Sequence, residues 1–178
     1  MSTCERAAAA AALLVTLASG MACAADGPDL GKPLDAADIA PWDSSIMPDG
    51  RGLPPGAGTA AQGAQVYAQK CAACHGEGGK GGASMSLLPK GPIKSINAAE
   101  KTIGNFWPYA TTLFDYIRRA MPWQQPKSLT SDEVYALSAY LLALNRVIDA
   151  GEEMNAQSLP RVRMPNRDGF IARYPEKM

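Results

Sequence analysis

Two cysteines and a histidine lie close together in the middle of the chain, where Cys71, Cys74 and His75 occur in the order Cys-Ala-Ala-Cys-His. This C-x-x-C-H spacing is typical of covalent haem attachment. Two thiols on one turn can add across the two vinyl groups of the porphyrin, and the next residue can present an imidazole nitrogen to the iron. The motif occurs once, so it predicts one covalently bound haem c with His75 as an iron ligand.

Other uses of these residues fit the sequence less well. The chain has four cysteines, of which Cys4 and Cys23 lie in an N-terminal segment that we expect to be removed. A structural zinc site normally has four Cys or His ligands. A thioredoxin-like pair is expected within a βαβ pattern, which the sequence around the motif does not provide. A disulfide between Cys71 and Cys74 remains the alternative for a chain that has not received haem.

The second axial position of the iron is open to methionine, to water or to nothing, because the chain has only one histidine. Met121 is the predicted ligand, since it follows a short predicted helix and Pro122 restricts its backbone. Trp107, Tyr109 and Trp123 lie nearby in sequence and can wall a haem crevice. A thioether ligand raises the reduction potential relative to two histidines.

Two alternatives to this ligand remain open. Met85 follows the motif closely, on a glycine-rich stretch, and is the second candidate. Met121 can also be ordinary core filler, as most methionines are. The remaining methionines beyond the N-terminal segment are Met47, Met154, Met164 and Met178.

The N-terminus has the pattern of a secretory signal peptide, which we place at residues 1–24. Arg6 precedes an apolar stretch over residues 7–18, and small residues follow around Ala22. The apolar stretch is shorter than the roughly 20 residues that a membrane-spanning helix needs. The alternatives are an uncleaved membrane anchor and lipidation at Cys23. The pattern predicts export to the periplasm, with no membrane span after the leader is removed.

The composition limits the classes of function. Lys+Arg and Asp+Glu both number 17, and no basic stripe is interleaved with aromatics, so nucleic acid is not an expected partner. The chain contains 17 Gly and 14 Pro in 178 residues, which predicts much loop, while an apolar fraction of 47% excludes general disorder. We expect an extended Pro/Gly-rich arm over residues 25–58, one haem domain over 59–146, and a C-terminal extension over 147–178.

The haem motif is expected at the end of a first helix. Apolar residues recur at helical spacing between Thr59 and Cys74. Gly63 within this helix indicates either a close crossing with another helix or an exposed position. The run from Gly76 to Gly82 predicts a flexible loop. A haem-ligating histidine usually donates its second ring N–H to a carbonyl, and a carbonyl near Pro89 or Pro92 is the expected acceptor.

Two further helices follow. One is predicted over Leu113–Ala120, capped by Thr111 or Thr112. The sequence from Thr130 to Glu133 matches a capping box, so a second, amphipathic helix is expected from there to about Asn145. The tail after this helix loses periodicity and carries a local excess of arginine, which is either a solvated tail or a docking surface: Arg161, Arg163, Arg167 and Arg173.

These motifs together resemble the class I cytochrome c domain over roughly residues 59–146. A narrower resemblance lies in residues 106–122 (FWPYATTLFDYIRRAMP), 159–170 (LPRVRMPNRDGF) and 48–54 (PDGRGLP). These segments are similar to the cytochrome subunits of bacterial sulfite or sulfane dehydrogenases of the periplasmic sulfur-oxidation system. The resemblance implies an all-α class I cytochrome c fold, whose first and last helices cross, with haem between loops.

The resemblance also implies partners. In that family the cytochrome takes electrons from a molybdenum-containing subunit that oxidises a sulfur compound, and passes them to a downstream cytochrome c. Some members carry a second haem, whereas this chain has one motif. We therefore expect an electron-transfer subunit of an oxidoreductase complex, with no catalytic residue of its own.

Two other functions remain as alternatives. One is a free, diffusible electron carrier without a dedicated enzyme. The other is a haem enzyme or small-ligand-binding haem protein in which Met121 is displaceable. Four side chains are candidates for contacts near the haem or with its propionates, and an exposed surface position is the equal alternative for the two arginines: Trp107, Tyr109, Arg118 and Arg119.

Overall fold

The computed structural model describes residues 30–93, 97 and 100–170, so the predicted leader lies outside the described residues. The chain divides into two compact units, Met1–Trp42 and Asp43–Met178. In the first unit a single turn of helix, α1 (Ala36–Ile39), begins after Asp35, whose carboxylate accepts from the Asp38 amide. The large apolar side chains of this segment are exposed: Leu30, Leu34, Ile39 and Trp42.

The second unit is mainly helical, as the sequence predicts. Its helices are α2 (Ala60–Lys70), α3 (Ala72–His75), α4 (Ala110–Ala120) and α5 (Ser131–Leu144), with 3-10 turns at Glu77–Gly79 and Leu159–Arg161. Two short strands, β1 (Ala57–Thr59) and β2 (Glu153–Asn155), form an antiparallel ribbon. Among the described residues, no helix combines the length and the apolar character that crossing a membrane would require.

Helices α2 and α5 both begin at capping boxes. The Thr59 side chain accepts from the Gln62 amide, and Gln62 reaches back to the Thr59 amide at 2.9 Å. Thr130 and Glu133 make the same pair of bonds at the start of α5, which confirms the predicted capping box. Such caps satisfy amide groups that the first helical turn leaves unpaired.

The two helices pack directly against each other at Gly63. A Cβ built there would collide with the carbonyl of Ala136 on α5, so only glycine lets the backbones approach this closely. Gly58 on β1 lies against the same Ala136, at its amide and Cα. The close crossing predicted as one reading of Gly63 is therefore confirmed, and the reading as an exposed glycine is wrong.

Helix α4 begins earlier than the sequence analysis predicted. Its first residue is Ala110 and its N-cap is Tyr109, so Thr111 and Thr112 lie inside the helix rather than at its cap. The cap prediction was wrong because the chain turns into the helix immediately after Pro108 and Tyr109, where the backbone of Tyr109 is extended.

Helix α4 also contributes to the core. Phe114 is fully buried and packs on the ring of Tyr135 from α5, with ring centroids 4.5 Å apart. The contact joins α4 to α5. The three long helices of the second unit thus share one hydrophobic core.

The C-terminal extension is part of this core. Strand β2 pairs with β1 so that Gly58 is opposite Met154, and the side chains of Met154, Leu159 and Met164 are buried. The Asn166 side-chain amide donates to the Phe106 carbonyl at 2.7 Å. Three side chains of the extension thus belong to the core, whereas Arg161, Arg163 and Arg167 are exposed, so a solvated segment and a docking surface both stay as predictions for these arginines.

Candidate haem site

The predicted first helix is interrupted at the motif itself. Helix α2 ends at Lys70, Cys71 leaves the helical region with φ −125° and ψ −36°, and the short helix α3 carries Ala72–His75. The amides of Cys74 and His75 both donate to the Cys71 carbonyl, at 3.2 and 3.0 Å. The break at Cys71 changes the direction of the chain between α2 and α3. The short helix α3 keeps both cysteines and the histidine within one turn.

Both cysteines are free thiols of intermediate burial. Burial, the largest influence, raises the pKa of the Cys71 thiol to about 11. A thiol that stays protonated at neutral pH is a poor nucleophile and a poor metal ligand. This environment differs from that of a thioredoxin-like pair, whose attacking cysteine has a lowered pKa.

His75 contacts the backbone through one ring nitrogen. Its Nδ1 lies 3.3 Å from the carbonyl oxygen of Met85. A carbonyl can only accept, so Nδ1 carries the proton of this hydrogen bond and Nε2 is the nitrogen able to bind a metal. The expected acceptor near Pro89 or Pro92 was wrong, because the chain turns back towards the motif several residues earlier.

The glycine-rich stretch after His75 contains a turn of 3-10 helix. Gly78 and Gly79 adopt positive φ values of 62° and 72°, which allows Glu77–Gly79 to form a 3-10 turn. The Gly81 amide donates to the His75 carbonyl at 2.8 Å. The sequence analysis did not predict this turn, which forms because positive φ lets glycines close a tight turn that other residues would resist.

One cavity of about 480 Å³ brings the predicted site residues together, because Cys71, Cys74, His75 and Met121 all line it. Most of its remaining wall is apolar. Contributions from four separate segments include Tyr67, Trp107, Leu113, Ile117, Leu137 and Leu141. Cofactor sites are mainly apolar clefts of about 300–1,000 Å³ with a few placed polar groups. Two thiols, an imidazole and a thioether on one such cavity form a donor set that fits haem c.

Of the two methionines considered as ligands, Met121 is the better placed. It follows α4 directly, its amide donates to the Ile117 carbonyl at 3.0 Å, and its side chain packs against the core. Met85 also lines the cavity, but its side chain is 72% exposed. Met154 and Met164 are buried outside the cavity lining, and Met178 lies outside the described residues.

The four side chains expected near haem propionates divide into two groups. Trp107 lines the cavity, whereas Tyr109 packs under the guanidinium of Arg167, 4.1 Å from its ring centroid. Arg119 donates to Asp115 and to the Ser44 carbonyl, both at 2.6 Å. Arg118 is not among the cavity-lining residues either, so Trp107 is the one of these four that lies on the cavity wall, and the contacts of the other three with haem stay a prediction.

Sequence reasoning missed other polar residues of the cavity. Lys70 lines it and also pairs with Glu133 at 2.7 Å, and Lys101 and Tyr116 line it from other segments. Lys70 carries the one local signal that could have identified it, since it directly precedes Cys71. Lys101 and Tyr116 are brought to the cavity by tertiary packing alone.

Comparisons with known proteins agree with this site. Residues 58–141 match the family model described as cytochrome c oxidase, cbb3-type, subunit III. The fold is similar to a chain in the crystal structure of the sulfane dehydrogenase SoxCD from Paracoccus pantotrophus, with 35% sequence identity and a TM-score of 0.72. The similarity covers 84% of this chain and 72% of that chain. These similarities show a cytochrome c domain, whose cofactor is haem c and whose function is electron transfer. This chain belongs to the c-type cytochromes and has the class I cytochrome c fold.

Proposed function

We propose that this chain is a periplasmic cytochrome with one covalent haem, and the electron-accepting subunit of a molybdenum-containing sulfite or sulfane dehydrogenase. The observation that carries the proposal is the convergence of Cys71, Cys74, His75 and Met121 on one apolar cavity. The partner is inferred from the similarity to the sulfane dehydrogenase SoxCD. A downstream cytochrome c would then receive the electrons.

Four residues have different proposed roles in binding the haem. Cys71 and Cys74 would hold the haem through two thioether bonds, and His75 Nε2 and Met121 Sδ would bind its iron. When bound, haem supplies reversible one-electron chemistry between the ferrous and ferric states. The apolar wall excludes water, and a thioether ligand raises the reduction potential relative to a second imidazole.

The mouth of the cavity supports a role in transfer to and from other proteins. Trp123 and Met85 line the cavity, yet their side chains are 80% and 72% exposed. Residues that are both lining and exposed must lie at the rim. Large apolar side chains grouped on a surface are typical of protein contacts, so this rim is the proposed place where redox partners meet the haem edge.

The N-terminal segment is a second proposed contact with the dehydrogenase. Among its described residues, four large apolar side chains are exposed: Leu30, Leu34, Ile39 and Trp42. Exposed apolar groups of this kind commonly mark interaction sites. The proposed export of the chain rests on the leader predicted at residues 1–24.

The proposal is tested by gentle purification of the tagged, full-length chain from the periplasm of its native host. We expect a stoichiometric molybdenum protein to accompany it, and sulfite or a sulfane compound to reduce its haem. Recovery of the haem protein alone, inert to these compounds, would instead support a free electron carrier. The mass of the purified chain reports both leader removal and the number of attached haems.

Two matched variants locate the contact. Trp123→Ala removes an exposed indole at the cavity rim, and Trp42→Ala removes an equally exposed indole from the N-terminal segment. We expect Trp123→Ala to slow reduction of the haem by the dehydrogenase, and Trp42→Ala to weaken co-purification. Both variants should keep the haem spectrum of the unmodified chain.

A further inference from the structure

The hydroxyl of Tyr67 makes a specific contact next to the haem motif. Tyr67 lies on α2, one turn before Cys71, and is only 2% exposed. Its Oη donates to the Gly76 carbonyl at 2.9 Å, directly after His75 in the chain. Burial is the main reason that the pKa of Tyr67 rises to about 12, so the hydroxyl remains a donor over the physiological pH range.

The residue held by Tyr67 begins a short chain of hydrogen bonds. The Gly79 amide donates to the same Gly76 carbonyl at 3.2 Å. The Gly79 carbonyl in turn accepts from the Leu87 amide at 2.8 Å and from the Ser86 hydroxyl at 3.2 Å. Residues 76–79 are thereby joined to residues 86–87.

This chain of bonds ends beside the partner of the histidine. Met85 directly precedes Ser86, and its carbonyl is the acceptor of the His75 Nδ1–H bond. On the other side of Met85, the Ser84 amide donates to the Cys74 carbonyl at 2.9 Å. The Met85 carbonyl is therefore held between two anchored neighbours, one of which is reached from Tyr67.

We infer that Tyr67 is a positioning residue for His75, acting through residues 76–87 to hold the Met85 carbonyl against Nδ1. The inference rests on the proposed function, in which His75 is the iron ligand. A hydrogen bond donated by Nδ1 makes the imidazole a stronger donor to a metal, which favours the ferric state. Loosening that bond should therefore raise the reduction potential.

The test is Tyr67→Phe in the full-length, haem-loaded protein, which removes one hydroxyl and keeps the buried ring. We expect a more positive midpoint potential in a spectroelectrochemical titration. Tyr135→Phe is the matched control, because Tyr135 is also buried and its hydroxyl donates to the Pro54 carbonyl at the same 2.9 Å, outside the cavity lining. The control should lower stability and leave the potential unchanged.

An unchanged potential in Tyr67→Phe would overturn the inference, and so would an equal shift in both variants, since that would report general loosening. If Tyr67→Phe does not load haem, Ser86→Ala removes one of the two hydrogen bonds that join Gly79 to residues 86–87, leaves the bond from the Leu87 amide, and should still raise the potential. Failure of the haem part of the proposed function is separately visible, because the unmodified chain would then lack covalently attached haem. Failure of the dehydrogenase part leaves the haem in place and does not affect this test.

Discussion

Replacing Gly63 by alanine is a direct test of the crossing of α2 and α5 on which the haem site is built. Alanine is intrinsically the better helix former, by about 1 kcal/mol. Helix propensity alone therefore predicts that Gly63→Ala stabilises the protein. The structure instead predicts that Gly63→Ala destabilises the protein.

The opposing contribution comes from the atoms that a new Cβ would meet. The nearest are the carbonyl oxygen and carbon of Ala136, followed by Cβ of Tyr140 at 2.7 Å. Backbone atoms cannot rotate aside, so the helices must separate, and overpacking of this kind costs about 1–3 kcal/mol. Taking the upper end, because the contact is with backbone, we expect a net loss of about 2 kcal/mol after the gain in propensity.

The assay is urea or guanidinium unfolding of the haem-loaded protein, followed by circular dichroism. In a thermal melt of the same protein, the expected loss in free energy of unfolding corresponds to a fall in Tm of about 4–8 °C for a chain of this size. Gly151→Ala is the control, because no atom lies within 4 Å of the position where its Cβ would be. That variant should be neutral or stabilised by up to about 1 kcal/mol. A Gly63→Ala protein at least as stable as the unmodified chain would refute the reasoning.

Three further predictions concern the axial ligand and the start of α5. Met121→Ala should retain covalent haem but lose the methionine-to-iron absorption band of the ferric protein, and its reduction potential should fall; an unchanged spectrum would exclude Met121 as the ligand. Thr130→Ala should lower the free energy of unfolding by about 1 kcal/mol through loss of the cap, measured by urea unfolding. The hydrogen bond from Lys70 is the main influence that lowers the pKa of Glu133. The ionised carboxylate therefore contributes its full stabilisation above the ordinary carboxyl pKa of 4.5. That stabilisation is lost as the pH falls through the lowered pKa of the folded protein. The stability difference between Glu133→Gln and the unmodified chain should therefore be largest near neutral pH and shrink in acid, and a difference independent of pH would contradict the assignment.

Local features of the sequence were sufficient for much of this protein. The C-x-x-C-H motif identified the cofactor, because its chemistry needs only five consecutive residues. The cap at Thr130 and the end of α5 near Asn145 were also predictable, since a capping box and a helical period are formed within a few residues. The resemblance to class I cytochromes c is confirmed by the comparisons.

Other features depended on residues that are far apart in the chain. The Arg119 guanidinium donates to the carbonyl of Ser44, 75 residues away, a contact that no local sequence pattern predicts. The extension after α5 has no periodicity, yet the side chains of Met154, Leu159 and Met164 are buried, because the bond from Asn166 to Phe106 and the ribbon of β1 and β2 join it to the domain.

The surroundings of His75 show the same division. The sequence predicted which residue binds the iron, His75. Tertiary structure decided that the Met85 carbonyl faces Nδ1 of His75 and that the Tyr67 hydroxyl donates to the carbonyl of Gly76, the next residue. A backbone carbonyl carries no mark of residue type, so sequence patterns cannot single one out. Its position depends on how the glycines of the loop turn and on which buried donors hold that turn in place.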